Sequence, residues 1–396
     1  MIKKIIIFFG SDLKNLSLNK KDIKKLNKNF SKIILFKKKF DFISKPNSSL
    51  KKKLENIQRK YDSIKIKLNQ KKIFKIDLFL RSIKLKHKKE KIFVAPFFIS
   101  GVITEEEFIF YELSKLYGIQ FLRPELSFIK NRYILSKSLF KHLYELKNKT
   151  QFDNTKFNKL KKNYVLSLNP FSNFIVKKKK INSYIEKTFF LLIKTIYKFK
   201  INKTAKKYAL VIMGNDMNLN LLAENLNLRK FVSYFLKTFN YDLVFLVHPN
   251  TNIVKLLKSY IRDKNYFFKN QRVVFIQRPS NLNEIIKNSK FIVHLTSSLS
   301  AQTLFFKKQI LCLGKNIMYL NFFNNLVSRY NKHNFKFLNK KINKNDLSQA
   351  DGFLKKIVSN SVDINGNFNL RTDKHYYSSR QKISEKKIMI NLLSTS

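Results

Sequence analysis

Between Tyr241 and Gly314 the chain alternates short β-branched or aromatic runs with polar stretches of helical periodicity. The runs read YDLVFLV, VVFIQ, FIVHL and ILCL. Runs this short, rich in Val, Ile and Phe and separated by amphipathic segments, form strands joined by crossover helices. A parallel pair needs that spacing, because the chain must travel back before it can pair again. The pattern therefore predicts an α/β fold with a doubly wound sheet. In such sheets ligands gather outside the carboxyl ends of the strands.

The rest of the chain extends the pattern. Ile2–Phe9 reads as a first strand ending at the turn Gly10-Ser11-Asp12, and Lys32–Lys37 as a second. Lys51–Gln70 is lysine-rich and reads as a solvated helix, whereas Asp77–Lys84 fits strand or helix. Lys91–Phe98 is a strand. Thr104 then caps a helix whose first turn carries Glu105, Glu106 and Glu107, read as partners of the helix dipole, and which closes at Gly118. Ile119–Leu122 follows as a strand running into Arg123-Pro124-Glu125. This β-α-β unit makes the N-terminal half a second doubly wound, Rossmann-like domain. Ser127–Thr150 reads as helix, Lys147–Asn163 as a polar linker and Tyr164–Leu168 as a short strand. Lys177–Lys180 and Ile181–Lys200 form a basic amphipathic helix, an interdomain or membrane-facing element or else one packed on a core. Tyr208–Met213 opens the C-terminal domain, with a helix from about Leu221 to Thr238, and Tyr319–Leu338 reads as helical. The expected domains are 1–200, 201–332 and a basic, helical or irregular tail, 333–396.

A formal charge of +56 points towards anionic partners. Only eleven of the 81 basic residues are Arg, the side chain suited to forked phosphate and base contacts. The excess of Lys, Asn, Ile and Phe follows A+T-rich codons. Nucleic acid is thus a weaker expectation than an anionic membrane surface, to which dispersed lysines are drawn irrespective of sequence. Cys312, the single cysteine, sits within an apolar strand, which excludes an internal disulfide and suits a reducing cytoplasm. The apolar run Ile5–Phe9 is too short for a signal peptide, and Thr188–Phe199, with Lys194 and Lys198 inside it, is too short to span a bilayer.

Two strands end in residues able to do chemistry. Tyr241–Val247 runs into His248-Pro249-Asn250, where proline stops the ladder and presents the imidazole at the strand end. An imidazole N–H there can donate to a departing phosphate oxygen. Phe291–Leu295 runs into Thr296-Ser297-Ser298 ahead of a helix, Leu299–Lys307. Three hydroxyls at a helix N-terminus make an anion site, although plain N-capping needs only one. If the two strands are neighbours, both groups meet one phosphate. Gly214-Asn215-Asp216 ends a third strand, with Asp216 either reaching the cleft or capping a helix. Glu125 is a candidate general base towards an acceptor hydroxyl, or half of a structural pair with Arg123. His294 reads as a core residue. Phosphate-binding P-loops, dinucleotide fingerprints, nucleophile elbows and zinc motifs are absent from the sequence, so neither a metal nor an organic cofactor is expected.

At these residues the chain resembles the capsule-polysaccharide glycosyltransferases of the Kdo-transferring group and, more distantly, the bacterial GT-B sialyltransferases. His248-Pro249, Thr296-Ser297-Ser298 and the strand Ile310–Leu313 ending at Gly314 carry the resemblance, which spans Tyr208 to Tyr319. Gln302-Thr303 stands where that family has Glu-Ala, and Lys307-Lys308-Gln309 where it has Gly-Lys-Pro. The resemblance implies two Rossmann-like domains facing a cleft. It also implies metal-independent transfer from a nucleotide sugar, CMP-linked, to a polysaccharide or glycolipid acceptor, with Pro249, Asn250 and Gln302 at the donor beside His248. A polyol-phosphate transferase of the teichoic-acid type, an inactive binding subunit and a nucleic-acid-binding protein are the competing expectations.

Overall fold

A computed structural model describes residues 3–10, 18–36, 48–59, 66–97, 103–127, 129, 131–139, 146, 153–167, 207–213, 228–247, 272–277, 282–294, 299, 303–313, 326–329, 340–368 and 384–394. Within them lie two all-parallel sheets and one small antiparallel sheet. The first sheet contains β1 (Lys4–Phe9), β2 (Lys32–Leu35), β3 (Lys91–Pro96) and β4 (Gln120–Phe121), in the order β2-β1-β3-β4. Alternation along the strands feeds two cores, as a sheet covered on both faces requires. Ile7, Phe9, Ile92 and Val94 pack with α2 (Ser48–Arg59), α3 (Gln70–Lys86) and α4 (Glu105–Leu116). Ile6, Phe8, Phe93 and Ala95 face the other way, onto Leu26 of α1 (Lys20–Leu26).

Local chemistry explains the helix limits. Asn19 and Asp22 form a capping box on α1, and Thr104 and Glu107 form one on α4. The end of α4 is a Schellman motif. Ile119 N–H donates to Ser114 O at 2.8 Å and Gly118 N–H to Lys115 O at 3.3 Å, with Gly118 at φ +64. The segment that fitted either strand or helix, Asp77–Lys84, lies within α3.

The small sheet holds β5 (Arg123–Leu126), β6 (Arg132–Ser136) and, from far along the chain, β13 (Val362–Asp363). The helix expected after Ser127 is therefore a strand. Asn131, at φ 58, turns the chain, and the unbroken apolar run Tyr133-Ile134-Leu135 after Arg132 has apolar neighbours on both faces. Tyr133 and Leu135 pack against the first sheet, while Ile134 joins the core of the second. The expected linker and strand over 147–168 are in part α5 (Asn154–Ser167). Asp153 Oδ1 accepts from the Thr155 and Lys156 N–H groups, and Phe157 and Leu160 are buried.

The second sheet holds β7 (Tyr208–Ile212), β8 (Asp242–Val247), β9 (Val273–Gln277), β10 (Phe291–His294), β11 (Ile310–Cys312) and β12 (Val327–Arg329). Its order is β12-β11-β10-β7-β8-β9. Counted within the sheet this is 6-5-4-1-2-3, the order of doubly wound nucleotide-binding sheets. One face packs on Phe231, Val232 and Phe235 of α6 (Leu228–Thr238). The other packs on α5, α7 (Leu282–Asn288) and α8 (Lys344–Ser359). The strand β12 lies inside the segment expected to be helical, where Leu326 and Val327 are buried in the sheet's core. Where a longer helix was expected over 299–307, Thr303–Phe306 forms a 3-10 turn that ends at Lys307, φ 57.

Residues beyond 333 reach both sheets. Ala350, Leu354, Ile357 and Val358 of α8 pack in the core of the second. Ile388, Met389, Ile390, Leu392 and Leu393 of α9 (Glu385–Ser394) pack on the first. Arg132, fully buried, ties this return to the hairpin. Its Nε donates to Ser361 Oγ at 2.8 Å and its Nη2 to Ser361 O at 2.5 Å, just past the carboxyl end of α8.

Candidate functional site

Strand order locates the site. Parallel strands present all their carboxyl ends on one edge, and the connections from β7 and β10 leave in opposite directions along the sheet. That reversal is the topological switch point, the position at which open α/β sheets bind ligands. The ends there are flush: Ile212 pairs with Leu246 on one side and His294 on the other. Met213 N–H adds a last rung to Leu246 O at 3.0 Å.

The sequence continues from these ends directly into the motifs. Met213 is followed by Gly214-Asn215-Asp216, Val247 by His248-Pro249-Asn250, and His294 by Leu295 and Thr296-Ser297-Ser298. All of these, with Gln302, lie outside the described residues. One geometric expectation changes. β8 and β10 are not neighbours, because β7 runs between them. Their ends are two strand spacings apart, about 10 Å. Anything bridging these two strand ends must therefore cross the end of β7.

Glu125 lies on β5 and is partly exposed, its Cα opposite Ile134. Directly opposed antiparallel residues share a face. Glu125 is thus on the side of the small sheet that Ile134 turns towards the second core. The acidic run before it does more than complement a dipole. Arg123 Nε donates to Glu107 Oε1 at 3.0 Å, with Glu107 fully buried. Burial pushes the Glu107 carboxyl above its ordinary value, against the pull of Arg123 and the Thr104 N–H. Glu105 accepts the Asn69 N–H at 2.6 Å and an ion pair from Lys72, joining α4 to the start of α3. Sequence spacing held no sign of either bond, since both partners are distant in the chain. Among the described residues, no helix is long and apolar enough to cross a membrane.

Fold and edge define a doubly wound α/β protein with a switch point bounded by β7 and β10. No protein-family model matches the chain, and no curated protein matches it. Among solved structures it is similar to KpsC of Thermosulfurimonas dismutans, a β-Kdo 2,7 transferase, at 13% identity and TM-score 0.33, over 88% of this chain and 90% of that one. It is also similar to the UDP-GlcNAc 2-epimerase of Methanocaldococcus jannaschii at 14% identity and TM-score 0.32, over 89% and 99%. A glycosyltransferase of Rickettsia africae matches at 10% and 0.31, over 94% and 96%. Likenesses this distant say nothing about substrate.

Proposed function

We propose that the chain is a glycosyltransferase that moves a sugar from a nucleotide-linked donor, a CMP-activated sugar acid, to a surface polysaccharide or glycolipid. The observation that carries this reading is the switch point. The described ends of β7, β8 and β10 lie side by side, and the residues next in sequence are a glycine turn, an imidazole and a hydroxyl trio. In this reading residues 201–332 hold the donor, 1–200 the acceptor, and the protein works at the inner face of the cell membrane. His248 donates a proton or hydrogen bond to the leaving phosphate oxygen, and Thr296, Ser297 and Ser298 hold the phosphate's other oxygens. Pro249 and Asn250 shape the strand end, Gly214 and Asp216 line the neighbouring turn, and Gln302 hydrogen-bonds the donor without charge. Glu125 takes the proton of the acceptor hydroxyl. A single leaving phosphate needs less neutralisation than a diphosphate, so the transfer runs without a metal.

Nucleotide release from CMP-, CDP-, UDP- and GDP-linked donors tests the reading. CMP release, lowered by about a hundredfold or more in His248→Ala, is the expected result. Turnover of a CDP-linked polyol alone would make the protein a polyol-phosphate transferase. No turnover and no nucleotide-induced thermal shift would leave a binding subunit.

A further inference from the structure

Lysines gather at the amino-terminal edge of the first sheet. Lys3 precedes β1, while Lys32 opens β2 and Lys91 opens β3. Lys88 and Lys89 stand in the turn before β3, and Lys115 at the end of α4. All six are exposed, and Lys91 N–H donates to Lys3 O at 2.9 Å, which holds the starts of β1 and β3 together. The positive field is felt nearby: burial, and then Lys91, hold the Lys137 ammonium below its ordinary value. Among the described acids at this edge, Glu90 is bonded to His87 and Glu112 to Lys115.

Two leucines stand at the same edge. Leu85, in the last turn of α3, is 66% exposed, and Leu116, at the end of α4, is 50% exposed. These helices precede the adjacent strands β3 and β4, so their carboxyl ends meet one edge of the sheet. Lysine at a helix end is accounted for by the helix dipole. Large apolar side chains left in water among such lysines are not. Charge with exposed leucine fits a bilayer interface, where ammonium groups meet anionic headgroups and the apolar side chains enter the acyl boundary. Base stacking would call for exposed aromatic or Arg side chains instead. Arg81, the arginine closest in sequence to Leu85, is bonded to Tyr117 and Asp77.

We propose that this edge of the first sheet docks the protein on an anionic membrane through Lys3, Lys32, Lys88, Lys89 and Lys91, with Leu85 and Leu116 entering the interface. It names the surface for the membrane partner of the transferase reading, yet stands without the transfer chemistry, since no donor is needed to measure it. The carboxyl edge of the first sheet lies a strand length away, on the order of 20 Å for the six residues of β1, and stays clear of lipid.

Cosedimentation of the full chain with vesicles tests the proposal, using phosphatidylcholine with or without phosphatidylglycerol. One variant replaces Lys3, Lys32, Lys88 and Lys89 by Gln. A second carries Leu85→Ser and Leu116→Ser. A control replaces four exposed lysines of the other half, Lys237, Lys340, Lys341 and Lys344, by Gln. All these side chains are exposed, and an unchanged melting temperature verifies folding. Binding to anionic vesicles alone is expected, falling roughly a hundredfold or more in the first variant, at about fivefold per lysine. The second should lose the fraction that survives added salt, and the control should stay close to the parent. Equal losses in control and first variant would overturn the proposal, because net charge would then suffice. Absence of binding to anionic vesicles, or displacement from them by a DNA duplex with the leucine variant unaffected, would also overturn it.

Discussion

Replacing Arg132 by Met should be among the costliest single changes in the chain. The guanidinium is fully buried, with Nε on Ser361 Oγ at 2.8 Å and Nη2 on Ser361 O at 2.5 Å. Longer bonds reach Phe368 O at 3.3 Å and Val358 O at 3.4 Å. Counting the two short bonds alone, at ~1.5–3 kcal/mol each for a charged donor, gives a loss of ~3–6 kcal/mol. Removing the desolvation cost of a buried cation returns part of that. The net loss is about 4 kcal/mol, a large share of an ordinary domain's stability. Arg132→Lys retains the charge but lacks the planar fork, and should cost about half as much. The assay is the urea midpoint at unchanged slope, with hydrogen exchange of residues 360–368 as the local readout. An Arg132→Met midpoint within about 0.5 kcal/mol of the parent, with exchange unaltered, would refute the reasoning.

Three further outcomes are expected. Because burial raises the Glu107 carboxyl, the folded state holds its proton more tightly than the unfolded state. The stability it contributes is full below about pH 4.5 and is lost as pH rises through the folded value. Urea midpoints for Glu107→Gln should show a flatter pH dependence than the parent. Gly366→Ala should cost more than Gly118→Ala. Both glycines have positive φ, worth ~1–2 kcal/mol, but only at Gly366 does a Cβ meet backbone, 2.7 Å from the carbonyl carbon of Lys387; thermal melts compare the two. The phenols of Tyr133 and Tyr208 are pushed up to about 12 by burial, helped by Glu385 and Glu284 respectively. Stability should therefore fall as pH climbs from about 10 towards 12, and ultraviolet titration should find these two phenols ionising late.

The strands of both parallel sheets other than β12 were readable because each is a brief apolar run between breakers, and burial on both faces demands that composition; at β12 Leu326 and Val327 give way at once to Ser328 and Arg329, too short a run to stand apart from a helix. Strand order was not readable. Apolar runs do not encode which neighbour they choose, and the insertion of β7 between β8 and β10 emerges only from pairing. β6 was misread because its apolar residues serve two cores, so that neither alternation nor helical spacing stands out around Tyr133, Ile134 and Leu135. The amino-terminal part of α5 looked like linker because, among its described side chains, Phe157 and Leu160 alone are fully buried. Glu107 read as a helix-dipole partner and Arg132 drew no reading, since their partners lie 16 and 229 residues away. The strand ends flanking the candidate site were legible, whereas the residues proposed to grip the ligand, apart from Glu125, lie outside the described chain.

Hydrogen exchange with and without CMP addresses the donor edge most directly. Protection confined to peptides covering 208–216, 242–250 and 291–300, and lost in His248→Ala, is the predicted result. Protection elsewhere, or none with any nucleotide, would contradict a ligand held where β7, β8 and β10 end.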